Sequence, residues 1–532
     1  MQRWLPLAVL AAAQFVMVLD QAVMNVSISQ LVIDLDTDVT AIQAVITLYS
    51  LVMAMFMIAG GKIGDLIGRR PAFTLGLVVY AIGSAITALA PSVLVLAIGW
   101  SVLEGLGAAL VMPALAALIA GNYEGRQRAI AYSVIGAVAG AGIAVGPIVG
   151  GWATTTLSWR VVFVGEVVIV LGVLSTVRFL RDTAREDVRP RLDVVGIVLS
   201  ALGLGLVVLG LLQAGTWGWL VPKNPPLALF GFAPTPFVVA TGGLLLWLFV
   251  AWQRRRERAG TDPLVHLDLF RIPTLRAGLQ SLLAQNLILL GVFFTIPLYL
   301  QLVLGLDALE TGVRMLPVSV AMFVAAIAGA RLRTRFAVRT VVRAGFGSTI
   351  LAILWLLATV EPTLLEIRFA LAMTLLGIGM GLIASQLGDV VQSSVDASGR
   401  SEAGGLQYTA MQLGSAVGVA LIGAIVLSGL VSNFLTQVEG DPRVPPTVVA
   451  QTTIAVSEGV SFVSAEQVRR VATEAGLEPA EVDALVDNYA AAQLFALKSG
   501  LLACMLLALL TVPATRRLPT DRPVPTGAPE MA

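Results

Sequence analysis

Three carboxylates, Asp20, Glu104 and Glu166, fall inside long apolar stretches of this 532-residue chain. A charged group at the centre of a bilayer costs about 2.5–3.5 kcal/mol on insertion scales, so such a side chain faces a cavity or a partner. No lysine or arginine stands beside any of the three in sequence. Desolvation disfavours the charged form of a carboxyl group. A carboxyl whose surroundings alternate can therefore take up a proton on one side of a membrane and release it on the other, which is the chemistry of proton-driven transport. The competing reading for each acid is a place near a helix end or a hydrogen bond to neighbouring backbone. Other chemistry is scarce. The chain has one histidine, His266, read as a loop residue, and one cysteine, Cys504, read as lipid-facing or packed. One cysteine cannot form an internal disulfide or a metal cluster, and a single histidine nearly excludes His-based metal sites and a Ser–His–Asp triad. No Walker loop is present, so ATP is not the direct energy source. No cofactor, no metal site and no enzymatic activity are expected.

The elements that must carry these acids follow from composition. Apolar residues make up 57% of the chain and charged ones 13%, against about 45–50% and about 25% in soluble domains. Too little charge is available to cover a soluble surface, so a polytopic membrane protein is expected. Apolar runs separated by short polar punctuation place crossings at 5–33, 41–60, 72–90, 93–119, 129–152, 161–180, 194–214, 236–252, 277–304, 313–330, 342–360, 365–391, 403–434 and 490–512. These fourteen read as helices, because backbone in hydrocarbon must satisfy its own hydrogen bonds. The first run is long, carries Asp20 and lacks a small-residue cleavage site, so it reads as a crossing and not a signal peptide.

With the N-terminus cytoplasmic, 26 of the 34 lysines and arginines fall on the cytoplasmic side, as positive-inside bias requires. Net charge is +1 and gives no indication of a nucleic-acid partner. The longest polar gap, 435–489, lies on the outer face and is acidic. Ser464 with Gln467 forms a capping-box pattern, and Val482, Leu485, Val486 and Tyr489 share a helical face. A small helical element and a solvated acidic loop are both compatible with this gap. The Pro-rich tail 513–532 is expected to be disordered.

Two glycine motifs stand out. Gly61-Lys-Ile-Gly-Asp65-Leu-Ile-Gly68-Arg69-Arg70 joins the second and third crossings; its glycines permit a tight turn and close helix approach. The fifth crossing contains Gly142-Ile-Ala-Val-Gly146-Pro147-Ile-Val-Gly150-Gly151, a seam at which helices pack at backbone distance. The first motif closely resembles the signature loop of the major facilitator superfamily, and the second its antiporter motif. Val18-Leu19-Asp20…Asn25-Val26, Arg191-Leu-Asp193, Pro263-Leu-Val-His-Leu-Asp-Leu-Phe270, Leu316-Pro317 and Gly404-Gly405-Leu-Gln…Gln412-Leu-Gly414 resemble its 14-helix drug/proton antiporter branch over roughly 5–510. Two positions depart from that pattern. Ser101 stands where the branch carries an arginine and Glu104 where it carries a glutamine, while Glu166 replaces an asparagine in the sixth crossing.

The resemblance implies an all-α membrane protein with two six-helix bundles, 1–192 and 276–512, and two inserted helices with a linker at 193–275. It implies alternating access, with Gly61, Asp65, Gly68, Arg69, Arg70 and Asp389 at the cytoplasmic gate. Cavity lining would come from Met17, Met24, Asn25, Met112, Asn286, Phe293, Phe294, Gln301, Tyr408, Met411 and Gln412, a mix of flexible methionines and aromatics suited to bulky amphipathic ligands. The expected function is proton-coupled export of hydrophobic or amphipathic, and in some cases cationic, compounds across a bacterial cytoplasmic membrane, by a monomer with both termini inside. Protons and membrane lipids are the other expected partners. The alternative is export of lipids or lipid-like products on the same fold.

Overall fold

Fourteen helices long and apolar enough to cross a bilayer run through the computed structural model, which describes residues 4–123, 125–182, 192–223, 225, 227, 229–332, 335–396, 399–458 and 462–520. They are α1 (Leu5–Val26), α2 (Val39–Ile67), α3 (Arg69–Ala88), α4 (Val93–Ile119), α5 (Val134–Thr156), α6 (Arg160–Phe179) and α7 (Val194–Trp217). The chain continues with α8 (Thr235–Arg258), α9 (Pro273–Val303), α10 (Ala308–Gly329), α11 (Val338–Thr359), α12 (Glu366–Ser393), α13 (Glu402–Gly440) and α14 (Pro479–Arg517). No strand occurs among the described residues.

Local chemistry sets the ends. Asp38 caps α2 through Ala41 N at 2.7 Å, and Asp193 caps α7 through Gly196 N at 3.0 Å. Gly68, at φ +104°, turns the chain between α2 and α3, a conformation that excludes a β-carbon at little cost only for glycine. Helices α1–α6 form one bundle, with α1 against α5 and α6, and α4 against α2 and α3. Helices α9–α14 form the second, with α9 against α13 and α14, and α12 against α10 and α11. The bundles meet along α2–α13 and α5–α10. Helices α7 and α8 pair with each other, and only α7 packs closely on the bundles, at α2 and α13.

The same helix crossing is built twice. A β-carbon at Gly83 of α3 would sit 2.7 Å from Gly99 O of α4, and Thr87 lies against Gly99. A β-carbon at Gly345 of α11 would sit 2.8 Å from Gly379 O of α12, and Thr349 lies against Gly379. The side chain facing the first glycine is Glu104 in one bundle and Ile383 in the other. Gly99 precedes Glu104 by one residue more than Gly379 precedes Ile383. The extra residue is absorbed by a wide π-helical stretch, Ala97–Glu104, of the kind often found at functional positions.

The 435–489 segment is helical. Short helices Pro446–Glu458 and Ala465–Glu474 lie there, and Ser464 and Gln467 form the expected capping box. The second pattern, around Val482 and Tyr489, is not a separate helix. It is the outward extension of α14, which begins at Pro479 because its apolar face stays covered: Tyr489 is T-stacked on Phe434, and its hydroxyl accepts from Val463 N. Arg443 hydrogen-bonds Asp441 and also reaches Asp487. The hydrogen bonds from the Arg443 side chain and backbone hold the Asp441 carboxyl well below the usual range. The tail also departs from expectation at its start. Val512–Arg517 forms a 3₁₀ turn with Thr515 buried, tied to α11 by Arg343 Nε donating to Thr515 Oγ1 at 3.0 Å. Residues 521–532 lie outside the described residues.

Candidate functional site

The glycines of α5 determine where α1 sits. Gly142, Gly146 and Gly150 face Val18, Ala22 and Val23 with no room for side chains between the helices. This fixes the rotation of α1 so that Asp20 turns into the first bundle and is 1% exposed. On α3, Tyr80, Ser84 and Thr87 recur at helical spacing and form a polar stripe in an apolar helix. The π-helical stretch of α4 presents Glu104 to that stripe, and Glu166 enters from α6, one turn after the buried Phe163 and two after the buried Trp159.

The three acids meet. One oxygen from each of Asp20, Glu104 and Glu166 lies within 4.8 Å of the others. Trp100 Nε1 donates to Asp20 Oδ1 at 2.7 Å. Thr87 Oγ1 donates to Glu104 Oε1 at 3.3 Å, while Ser84 Oγ and Tyr80 OH donate to Glu166 Oε2 at 3.2 and 3.4 Å. Tyr49 of α2 stacks on Trp100, with ring centres 4.6 Å apart. The remaining oxygens, Asp20 Oδ2, Glu104 Oε2 and Glu166 Oε1, and the Tyr49 hydroxyl have no hydrogen-bond partner among the described residues.

Two unit charges 4.8 Å apart repel by about 3–4 kcal/mol at an effective dielectric of about 20. Three ionised carboxylates in this enclosure therefore require incoming positive charge. None of the ion pairs among the described residues involves these acids. The cluster is closed, with all three acids at most 1% exposed, so protons or a small bare cation fit there and an organic cation does not. A cationic cargo thus does not supply the missing charge at this position. The cluster lies inside the first bundle, not at the seam between the two.

Other sequence-predicted residues are dispersed. Gln412 sits at the seam between bundles, accepting from Gln21 Nε2 of α1 at 3.2 Å and pointing its own amide at Met53 Sδ of α2. Gln301 closes one end of that seam: its Nε2 donates to Val26 O at 2.8 Å and its Oε1 accepts from Ser29 N at 3.3 Å. Tyr408, Met411, Phe293 and Asn286 are half-buried, while Met17, Met24, Asn25, Met112 and Phe294 are buried. Asn25 and Asn286 donate to backbone carbonyls within their own helices. Pro147 and Gly151 of α5 abut Gly312 and Ala308 of α10 across the seam. In the signature loop Arg69 pairs with Asp65 and donates to Gly61 O, and Arg70 N donates to Asp182 Oδ1 at 3.1 Å. Asp389 lies exposed near the end of α12 on the same face. Ser101 does not reach the acids; its hydroxyl donates to Val45 O at 2.7 Å.

Sequence reasoning missed Trp100, Tyr49, Tyr80, Ser84 and Thr87. The α3 stripe was legible as i, i+4, i+7 spacing, whereas nothing in the sequence marked Trp100 as the partner of Asp20.

Comparison with known proteins shows the family. The chain matches the Major Facilitator Superfamily model over residues 10–419. It is 30% identical to the tetracenomycin C resistance and export protein of Streptomyces glaucescens, over 80% of this chain and 76% of that one. It is 28% identical to the multidrug efflux pump LfrA of Mycolicibacterium smegmatis, over 81% and 82%. Among solved structures it is similar in fold to a bacterial homolog of the human lysosomal transporter Spinster in an inward-facing, unoccupied conformation, with TM-score 0.61, 14% identity and 99% of both chains covered. It is also similar in fold to a D-xylose-proton symporter, with TM-score 0.56, 12% identity and coverage of 80% and 90%.

Proposed function

The chain belongs to the major facilitator superfamily, as a fourteen-helix transporter and not an enzyme, and from that premise we propose that it exports small hydrophobic or amphipathic compounds in exchange for protons. Its basic face is cytoplasmic, with both termini inside, and the membrane is the bacterial cell membrane. The observation that carries the proton half of this reading is the enclosure of Asp20, Glu104 and Glu166 together, away from lysine and arginine. The export half rests on relatives described as resistance, export and efflux proteins.

Helix α1 links the two halves of the reaction. Asp20 points into the acid cluster and the next residue, Gln21, points at Gln412 across the seam, as the roughly 100° step of a helix requires. With protons bound, the cluster is neutral and α1, α3, α4 and α6 stay packed. Loss of a proton leaves charge in a dry enclosure and favours a rotation or tilt of α1 that admits water. That movement disturbs the Gln21–Gln412 contact, so proton occupancy and the opening of the seam are coupled. Cargo binds along the seam, where Tyr408, Met411 and Phe293 are accessible and the amides of Gln21 and Gln412 offer polar contacts.

The test uses the full chain in proteoliposomes loaded with a fluorescent amphipathic dye, with and without an imposed pH gradient. The wild type is expected to move dye only with the gradient. Asp20→Asn is expected to fold, bind dye and lose gradient-driven movement. Gradient-driven efflux by Asp20→Asn equal to the wild type would overturn the assignment.

A further inference from the structure

Helix α8 is the least embedded of the fourteen, with 11% of its apolar window buried. Its outer face is therefore a surface for lipid. At the basic end of that face lies a cavity of about 510 Å³ lined by Trp247, Val250, Ala251, Arg254, Arg255 and Arg258. Positions 247, 251, 254, 255 and 258 fall at i, i+4, i+7, i+8 and i+11, a single helical stripe. At 1.5 Å per residue the stripe runs about 16 Å, from an indole to three guanidinium groups.

The arginines at this helix end divide into two kinds. Arg256 turns inward, donating to Asp262 O and lying 3.8 Å from Asp193. Arg254, Arg255 and Arg258 are exposed, and none makes a hydrogen bond or ion pair among the described residues. Three free cations thus converge on one groove whose other end is aromatic and apolar.

The depth of the groove is set by the opposite end of the same hairpin. The loop joining α7 to α8 exposes Trp219, Phe230 and Phe232, and the first turn of α8 adds Phe237, an aromatic belt of the kind that sits at the headgroup level. From Phe237 to Arg255 the helix rises about 27 Å, close to the roughly 30 Å of a hydrocarbon core. The arginines therefore lie where the phosphates of the other leaflet lie, and Trp247, about 12 Å along the helix from Arg255, lies beside the acyl chains towards the middle of the membrane.

We infer that the groove Trp247–Arg258 on α8 is a binding site for an anionic phospholipid, its phosphate held by Arg254, Arg255 and Arg258 and its acyl chain lying against Trp247. Three positive charges match a headgroup with two phosphates better than one with a single phosphate, so a cardiolipin-type lipid binds more tightly than phosphatidylglycerol. Zwitterionic lipid gains nothing from the guanidinium cluster. A general inward bias of basic residues explains arginines at this end of the helix. It does not explain why three of them share a groove with a tryptophan while the fourth is tied to Asp262.

The experiment is native mass spectrometry of the full chain in detergent, titrated with cardiolipin, phosphatidylglycerol, phosphatidylethanolamine and, as a free phosphate, glycerol 3-phosphate. The wild type is expected to retain cardiolipin above phosphatidylglycerol above phosphatidylethanolamine. The triple variant Arg254→Gln, Arg255→Gln, Arg258→Gln is expected to lose at least about tenfold in retention of both anionic lipids. The control Arg271→Gln, Arg276→Gln, which removes charge from the same face, keeps them. Anionic-lipid retention by the triple variant equal to the wild type, or loss of equal size in the control, overturns the site. Displacement of cardiolipin by equimolar glycerol 3-phosphate also overturns it, by showing a phosphate site and not a lipid site. Should the triple variant fail to fold, quenching of wild-type tryptophan fluorescence by phosphatidylglycerol brominated on its acyl chain supplies the readout. Quenching is expected to fall in Trp247→Phe, and identical quenching in the two proteins overturns the placement of the chain.

Discussion

The α3–α4 crossing and the α11–α12 crossing are the same piece of engineering with different cargo at the contact. Each is made by a pair of glycines at backbone distance and by a threonine one turn on. In the first, the side chain under the glycine is Glu104; in the second it is Ile383, fully buried. The surroundings follow suit. The first bundle adds Asp20 and Glu166 with four hydroxyls and an indole around them. The second keeps its buried polar groups neutral, such as Gln285 donating to Met380 O and Gln386 donating to Gly329 O. The difference teaches that packing and ionisation are separable here. The glycine crossing builds a bundle with or without an acid, and the acid's presence accompanies an extra residue in the α4 backbone that has no counterpart in α12.

Exchanging the two contact residues should break the comparison most severely. Ile383→Glu places an acid where Val342 and Phe346 stand in the positions of Tyr80 and Ser84 and only the Thr349 hydroxyl has a counterpart, and it is expected to destabilise the chain by about 2.5–3.5 kcal/mol, read as a lowered midpoint of thermal unfolding in detergent. Glu104→Ile, the reverse change, removes the need to desolvate a carboxyl and is expected to leave that midpoint unchanged or raised while gradient-driven efflux is lost. Equal destabilisation by the two variants would show that Glu104 is a structural residue.

Smaller changes at the glycines sharpen the same point. Gly83→Ala and Gly345→Ala each introduce a β-carbon 2.7–2.8 Å from a facing carbonyl oxygen, and overpacking of this kind costs about 1–3 kcal/mol. The two losses of stability are expected to be similar. Only Gly83→Ala, whose new methyl group presses on Glu104, is expected to move the pH dependence of dye efflux; a shift in Gly345→Ala of the same size would contradict the division of labour.

The smallest effect comes from an acid that is fully provided for. Burial opposes ionisation of Asp193, but hydrogen bonds from Trp252, Gly196 N and Gln253, together with Arg256, hold its carboxyl below the usual aspartate range. A lowered native value stabilises the fold at pH above the unfolded value of about 3.9, and that stabilisation is lost as pH falls through the native value. Asp193→Ala, which also removes a helix cap, is expected to cost about 1 kcal/mol with efflux retained. The difference in unfolding midpoint from wild type should be constant from pH 7 to pH 5 and shrink in stronger acid. A difference that grows on acidification would rule out this account of Asp193.

The sequence announced the fourteen crossings because hydropathy is a property of each segment by itself. Helix ends were less legible: α2 runs on to Ile67 and α14 starts at Pro479, since caps and packing, not hydropathy, end a helix. Each acid was legible as a carboxylate in oil. Their meeting was not, because it depends on how α1, α4 and α6 are rotated about their axes. That rotation is set by partners far away in the chain: Gly142, Gly146 and Gly150 for Asp20, and Gly83 with the wide α4 turn for Glu104. A one-residue shift in helical phase leaves no mark on composition or periodicity. The placement of the acids in the body of one bundle, and not along the seam with the methionines, was for the same reason visible only in three dimensions.

Gln301 serves two peptide groups that its own helix does not need. Val26 O and Ser29 N flank the break where α1 gives way to the short helix Ile28–Asp34, and both are satisfied from the opposite bundle. Parting the bundles at this end strands a carbonyl and an amide at the fracture, at about 0.5–1.5 kcal/mol for each net hydrogen bond. Water entering the gap can take over both bonds; hydrocarbon cannot. The doorway is therefore cheap to open only when it floods, so a half-parted dry gap, the geometry through which ions would leak, is the least stable position along the way.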